Sequence, residues 1–396
     1  MKSDLFLRIT PIITVVILLL STQNLPGKNS AVNIFDCTVN VSEDEERHEM
    51  TIFVVPSYRP LDWSSPAALQ KSTLKSWISN RFHRYTYSLG HLFVRIDSPL
   101  LEEPVFTGMR SVSHIEKLKL YLIKKVGMGI IGAAMKGEPD TKERLEKTIN
   151  HILFKNEKIA FIKYRLNRES AIRVISFLEL FLKGDEEGFV PCEYYGGDFW
   201  PGFKNEGSGC SAFGLAMMEA AGISTDKPEW IAKVNMQEEI VGGNFNNNRK
   251  VKISTIRSCE EWYNGDGIMN KDYFPIVMYD PSMIHDWIKE KYYDHLSVIQ
   301  EVADDYYMAD IEGYLQAVEQ GCPFLSEAPG YFTSPETAAI CNESGIRGVC
   351  IDARHIEISP DKPLLKERAS ESVFVNVFKK ELGLRKAKGV KRVTGR

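Results

Sequence analysis

Three short runs rich in β-branched and aromatic residues constrain the fold before anything else is considered. Met50–Val55 (MTIFVV), Leu89–Ile96 (LGHLFVRI) and Ile159–Tyr164 have the composition of strands, and Pro56 ends the first. After the turn at Pro99–Pro104, Val105–Met109 reads as the returning strand of a hairpin. Helical patterns lie between these runs. One covers Ala67 to about Asn80, with Ser65 as its cap. Another covers Arg168–Leu182, with Ile172, Ile175, Leu178 and Leu182 along one face. A third opens at Cys210 and stops at Gly222, and a fourth runs from Pro281 to about Val302. Hairpin strands with helices between them predict an α+β fold, a small antiparallel sheet packed by helices. Alternation along Leu89–Ile96 puts His91, Phe93 and Arg95 on one face and Leu92, Val94 and Ile96 on the other. Residues 115 to 136 have helical character, weakened by Gly127, Gly129 and Gly132 in the apolar stretch VGMGIIGAAM. This stretch reads as a core or lid segment, with lipid contact as the alternative.

The 396 residues are 43% apolar and 26% charged, enough apolar material for a large core, and the net charge is -4. With no strongly basic field, nucleic acid is excluded as the expected partner. At the N-terminus, Lys2 and Arg8 precede an apolar run, Ile12–Leu20. That run is well short of the ~20 residues a spanning helix needs, so residues 1–30 read as a secretory signal. An uncleaved N-terminal anchor and a buried strand or helix remain as alternatives. Export permits disulfides, and seven cysteines leave at least one thiol unpaired. Cys341 and Cys350 bracket a short turn and are candidates to pair. The absence of any CxxC pair argues against a thioredoxin-like or tetrahedral zinc site, so no metal and no cofactor is expected. Residues 379–396 form a basic tail, usually a solvated one. Membrane association, if any, runs through the N-terminus or through this tail.

Cys210 is the sharpest chemical candidate. It follows Gly207 and Gly209 and opens a helix. The first amide groups of a helix have no partner within it, and the helix dipole favours negative charge at that end. Both effects lower a thiol's pKa, and the same amides can hold an acyl oxyanion. The bland alternative is a small buried residue or half of a disulfide. The base best placed for such a thiol is His91, next to Gly90 on its strand, although a lone strand histidine is more often a core residue.

Taken together, GHLFVRI followed by GCSAFGLAMMEAAGI resembles the circularly permuted NlpC-like papain-fold proteins, the lecithin:retinol acyltransferase-like group among them. In that group the histidine strand precedes the cysteine helix, and here Cys210 follows His91 by 119 residues. The resemblance covers roughly residues 50 to 225. It implies a permuted papain-like fold and a Cys210–His91 pair. It also implies a polar third group on the strand after the histidine strand, for which this sequence offers Thr107 and Glu103. Tyr58 and Trp63 after the first strand, and Tyr195, Trp200 and Glu206 before Cys210, are candidates to line a substrate groove, although aromatics are more often packing.

The domain reading that follows is a signal or anchor over 1–30, a permuted papain-like catalytic domain over 31–225, a C-terminal elaboration over 226–378, and the basic tail. The function expected is an exported, cysteine-dependent hydrolase or acyltransferase, periplasmic, in the cell envelope or membrane-anchored. Its Cys–His pair acts on an amide, ester or thioester bond, and the resemblance implies a cell-wall peptide or lipid acyl substrate. The alternative is a non-catalytic exported binding or envelope protein that keeps the fold.

Overall fold

β1 (His48–Ser57) is buried along its whole length because it has a strand on each side and helices over both faces. It pairs antiparallel with β2 (Leu89–Asp97) on one side and with β5 (Ala160–Leu166) on the other. Beyond β2 the sheet continues, antiparallel throughout, with β3 (Val105–Ser111), β4 (Met135–Pro139) and β6 (Tyr194–Tyr195). Beyond β5 it takes up β10 (Ile346–Asp352) in the one parallel pairing, and β9 (Ala338–Glu343) closes that side. The result is an eight-stranded, mostly antiparallel sheet in an α+β fold. β7 (Ile231–Gln237) and β8 (Tyr273–Tyr279) form a separate two-stranded sheet. The computed structural model describes residues 46–113, 116–117, 119–184, 188–201, 207–305, 338–343, 346–359, 364–365 and 374–381. The expected signal segment, most of the basic tail and Glu206 lie outside the described residues.

Helices accompany the strands, among them α1 (Pro66–His83), α2 (Lys142–Phe154), α3 (Arg168–Lys183), α4 (Cys210–Ala220), α5 (Ile253–Arg257) and α6 (Pro281–Asp305). Strand alternation sorts the core into two layers. Met50, Ile52 and Val54 of β1, with Leu92, Val94 and Ile96 of β2, face Val174, Phe177 and Phe181 of α3 and Phe213 and Met217 of α4. Phe53, Val55, Phe93 and Phe161 face the other way, onto Leu145, Ile149 and Ile152 of α2. Each such buried side chain contributes about 1.5–3 kcal/mol through removal from water. The two layers thus clamp β1 and β2, and β2 is the strand that carries His91.

The Ser65 cap is present: its side chain accepts a hydrogen bond from the Ala68 amide at 3.1 Å. The buried face of α3 differs from the expected one. Val174, Phe177, Leu178 and Phe181 point inward, whereas Ile172 is 42% exposed, because the two phenylalanines fill the space beside Phe213 and rotate the stripe by about one residue. The helical character expected over 115 to 136 is limited, in the described part of that stretch, to Glu116–Lys117 and two short turns. A π turn (Lys119–Ile123) and a 3₁₀ turn (Met128–Ile130) are followed by strand β4. Its backbone is satisfied from elsewhere instead: the carbonyls of Lys125, Val126 and Ile131 accept from Val251, Gly242 and Gly197. Among the described residues no helix is long and apolar enough to cross a membrane.

Candidate active site

The site is assembled where the ladder between β2 and β3 ends. That ladder stops at the pair Phe93–Gly108, one step short of Leu92. α4 lies directly on β2 at this point. A Cβ built on Gly214 would fall inside the Leu92 side chain, so only glycine lets the helix come this close. The close approach brings the first residue of α4, Cys210, beside His91 and turns the Leu92 amide toward the sulfur, where it favours the thiolate. No side chain caps α4 at Gly209, so its first-turn amides remain oriented toward the thiol.

Cys210 is partly exposed, and His91 is buried. The thiol and the imidazole are close enough for each to stabilise the charged form of the other. Burial pushes the Cys210 pKa up, but His91, the Tyr195 hydroxyl and the Leu92 amide outweigh it and bring it down to about 7. Burial likewise opposes the His91 cation, yet the Asp140 carboxylate and the Cys210 sulfur raise its pKa to about 9. The two shifts describe one species, a thiolate–imidazolium pair that is the dominant form between these values.

The carboxylate that holds the imidazole is Asp140. Its Oδ2 is 3.1 Å from His91 Nε2, and its side chain is 1% exposed. The Nε2–Asp140 contact leaves Nδ1 for the thiol. Asp140 follows β4 and is fixed by its own backbone, since its amide donates to the Gly108 carbonyl at 2.8 Å. Arg144 Nε and Arg110 Nε lie 3.1 and 3.4 Å from its other oxygen. Tyr87 stacks on the imidazole with centroids 4.5 Å apart and 19° between planes, shielding the His91–Asp140 contact from solvent. The Tyr87 hydroxyl pKa is driven up by burial and then by the Asp140 charge.

Neither expected third group touches the imidazole. Thr107 is buried, and its hydroxyl donates to the Asp140 backbone carbonyl at 3.1 Å, so it steadies the segment that carries the carboxylate. Glu103 is 74% exposed and pairs with Lys142 at 2.7 Å, because the turn before β3 points it into solvent. Of the expected groove residues that are described, Tyr195 alone meets the thiol: its hydroxyl donates to Cys210 Sγ at 3.8 Å, and the Cys210 amide is directed at the same hydroxyl. Tyr58 packs on Tyr85 with centroids 4.2 Å apart. Trp63 donates its Nε1 proton to Asp280 at 2.7 Å and packs in the core around Met236 and Ile240. Trp200 is buried against Tyr279, a core position rather than a groove wall. Cys192 and Cys259 are free and buried, and burial pushes both thiols up, in the opposite direction from Cys210. Cys350 is disulfide-bonded.

Asp140, Tyr87 and Lys117 were not singled out by sequence. The signal for Asp140 was a carboxylate directly before a capped helix start, Asp140–Thr141, with Thr141 accepting from the Arg144 amide. The sequence pattern assigns no strand to Met135–Pro139, so nothing in it ties this carboxylate to His91. Among the described residues no group of three or more metal-binding side chains occurs. No protein-family model, no curated protein and no solved structure matches this chain.

Proposed function

We propose that this chain is an exported thiol hydrolase or acyltransferase of permuted papain-like (NlpC-like) type, with Cys210 as nucleophile, His91 as acid and base, and Asp140 as the group that orients His91. The observation that carries the reading is the continuous chain Cys210–His91–Asp140, with the thiol lowered and the imidazole raised. The same reading assigns the sheet with α4 laid across β2 to that fold type.

In the proposed reaction the Cys210 thiolate attacks a carbonyl carbon, a C–S bond forms, and the carbonyl π electrons move to oxygen. The α4 amides and the Tyr195 hydroxyl stabilise that oxyanion. The intermediate then collapses, the bond to the leaving nitrogen, oxygen or sulfur breaks, and the His91 imidazolium protonates the leaving group. Neutral His91 next deprotonates water or an acceptor, which attacks the thioester and returns the thiolate. A cell-wall peptide or a lipid acyl group is the substrate class in view, without nucleic acid or a cofactor. The disulfide at Cys350 fits an oxidising, extracytoplasmic setting. The non-catalytic reading drew on the lack of a third group, and the Asp140 contact removes that support.

The test is site-resolved alkylation of the full chain with iodoacetamide near neutral pH. Cys210 is expected to react far faster than Cys192 and Cys259, and His91→Ala to slow it to their level. A Cys210 no faster than those two would end the catalytic reading.

A further inference from the structure

Lys117 lies near the proposed nucleophile, and among the described residues it has no carboxylate partner. Its Nζ is 5.3 Å from the centroid of the Tyr195 ring, the residue whose hydroxyl contacts Cys210 Sγ. Among the described residues no Asp or Glu lies within ion-pair distance of it, although Glu116 is its chain neighbour, and Glu116 accepts from the Lys136 amide instead. The Lys117 side chain is partly buried, and its ammonium is disfavoured first by that burial and favoured by the Cys210 charge. Among the described residues the anion that favours its charge is the Cys210 thiolate.

Charge balance through the reaction gives this arrangement a consequence. In the resting pair, Asp140 and the Cys210 thiolate face the His91 imidazolium and Lys117. In the acyl-enzyme the thiolate charge is gone and His91 is neutral after giving its proton to the leaving group, so the partly buried ammonium loses the anion that faced it, which is costly. An anion retained on the acyl group takes the place of the thiolate beside Lys117. Resting on the thiol-enzyme reading above, we infer that Lys117 selects a substrate whose acyl half carries a carboxylate close to the carbonyl that Cys210 attacks. Lys117 is thus a specificity residue that acts on the acyl side of the scissile bond. Tyr195 positions it, the ring taking the ammonium on its face while the hydroxyl serves the thiol.

The probes are iodoacetate and iodoacetamide, which differ by one carboxylate and displace iodide from carbon with the same thiolate. Their second-order rates at Cys210 are measured on the full chain at a pH between about 7 and 9, where the ion pair dominates. The iodoacetate/iodoacetamide ratio is referred to the same ratio for N-acetylcysteine, which cancels differences in thiolate population. The wild-type ratio is expected to exceed the reference by about fivefold or more, the size of one close charge pair at a partly shielded site. Lys117→Met should return it to the level set by His91 alone, and Lys117→Arg should keep it. A wild-type ratio at or below the reference, or a ratio unchanged in Lys117→Met while Cys210 stays reactive, overturns the inference and leaves the nucleophile assignment standing. A Cys210 inert to both reagents removes the nucleophile assignment and this inference together. The wild-type ratio needs no variant, so poor folding of Lys117→Met does not rescue the idea.

Discussion

Asp140 Oδ2 lies 3.1 Å from Nε2 of His91, although 49 residues separate them and the carboxylate comes from beyond two further strands. The contact fixes the imidazole's orientation and charge, and through it the reactivity of Cys210. Asp140→Asn keeps the volume and removes the charge. The expected outcome is a fall in acyl-transfer rate of about 10²-fold or more, in the range general acid–base groups contribute. Glu103→Gln, whose carboxylate engages Lys142 at the surface, is expected to leave that rate unchanged. Rates of the two variants on one thioester probe check the prediction, and equal losses would refute it.

The pH dependence follows from the two shifts. The Cys210 thiol is lowered to about 7, so alkylation should rise as pH passes through that value rather than through the ordinary thiol range. His91 is raised to about 9, so turnover, which needs the imidazolium to protonate the leaving group, should fall as pH passes through that value. Alkylation needs no such acid and should not fall there. His91→Gln is expected to move the rise toward the ordinary thiol pKa. Parallel pH profiles of alkylation and turnover separate the two limbs.

Tyr195 supplies a hydroxyl at the point where the Cys210 amide and sulfur meet. Tyr195→Phe retains the ring that carries Lys117 and removes the donor. Turnover is expected to drop by about 10²–10³-fold, the cost of losing one oxyanion donor, with little change in substrate affinity. Steady-state kcat and KM distinguish this from a binding defect, which would raise KM alone.

Gly214 is the contact point between α4 and β2. Gly214→Ala forces the helix away from Leu92, or Leu92 out of place, at a cost of about 1–3 kcal/mol from overpacking. Because the same helix delivers Cys210, thiol reactivity should fall together with stability. Urea denaturation and the alkylation rate test both halves. A variant as stable and as reactive as the parent would show that the approach is not tight.

Much of this architecture was legible in local sequence. Met50–Val55 and Leu89–Ile96 read as strands because their composition suits no other buried structure, and they are the cores of β1 and β2. Cys210 stood out because glycines before it and an apolar helix after it leave amides free at one place. Asp140 is not legible for a specific reason: Gly137 and Pro139 give Met135–Pro139 no strand pattern, and it is the pairing of this strand with β3 that carries Asp140 to His91. The α3 stripe was misplaced because Phe177 and Phe181 seek Phe213, a partner that periodicity alone cannot supply.

By itself the sequence determined the strands that become β1 and β2, and that a thiol stands at the start of α4, because backbone preference and amide direction are local properties. Only the tertiary structure decided which carboxylate meets His91 and which cation is left beside Cys210. Those choices depend on register between strands far apart in the chain and on how deeply each charge is removed from water, and neither is encoded within any single stretch of residues.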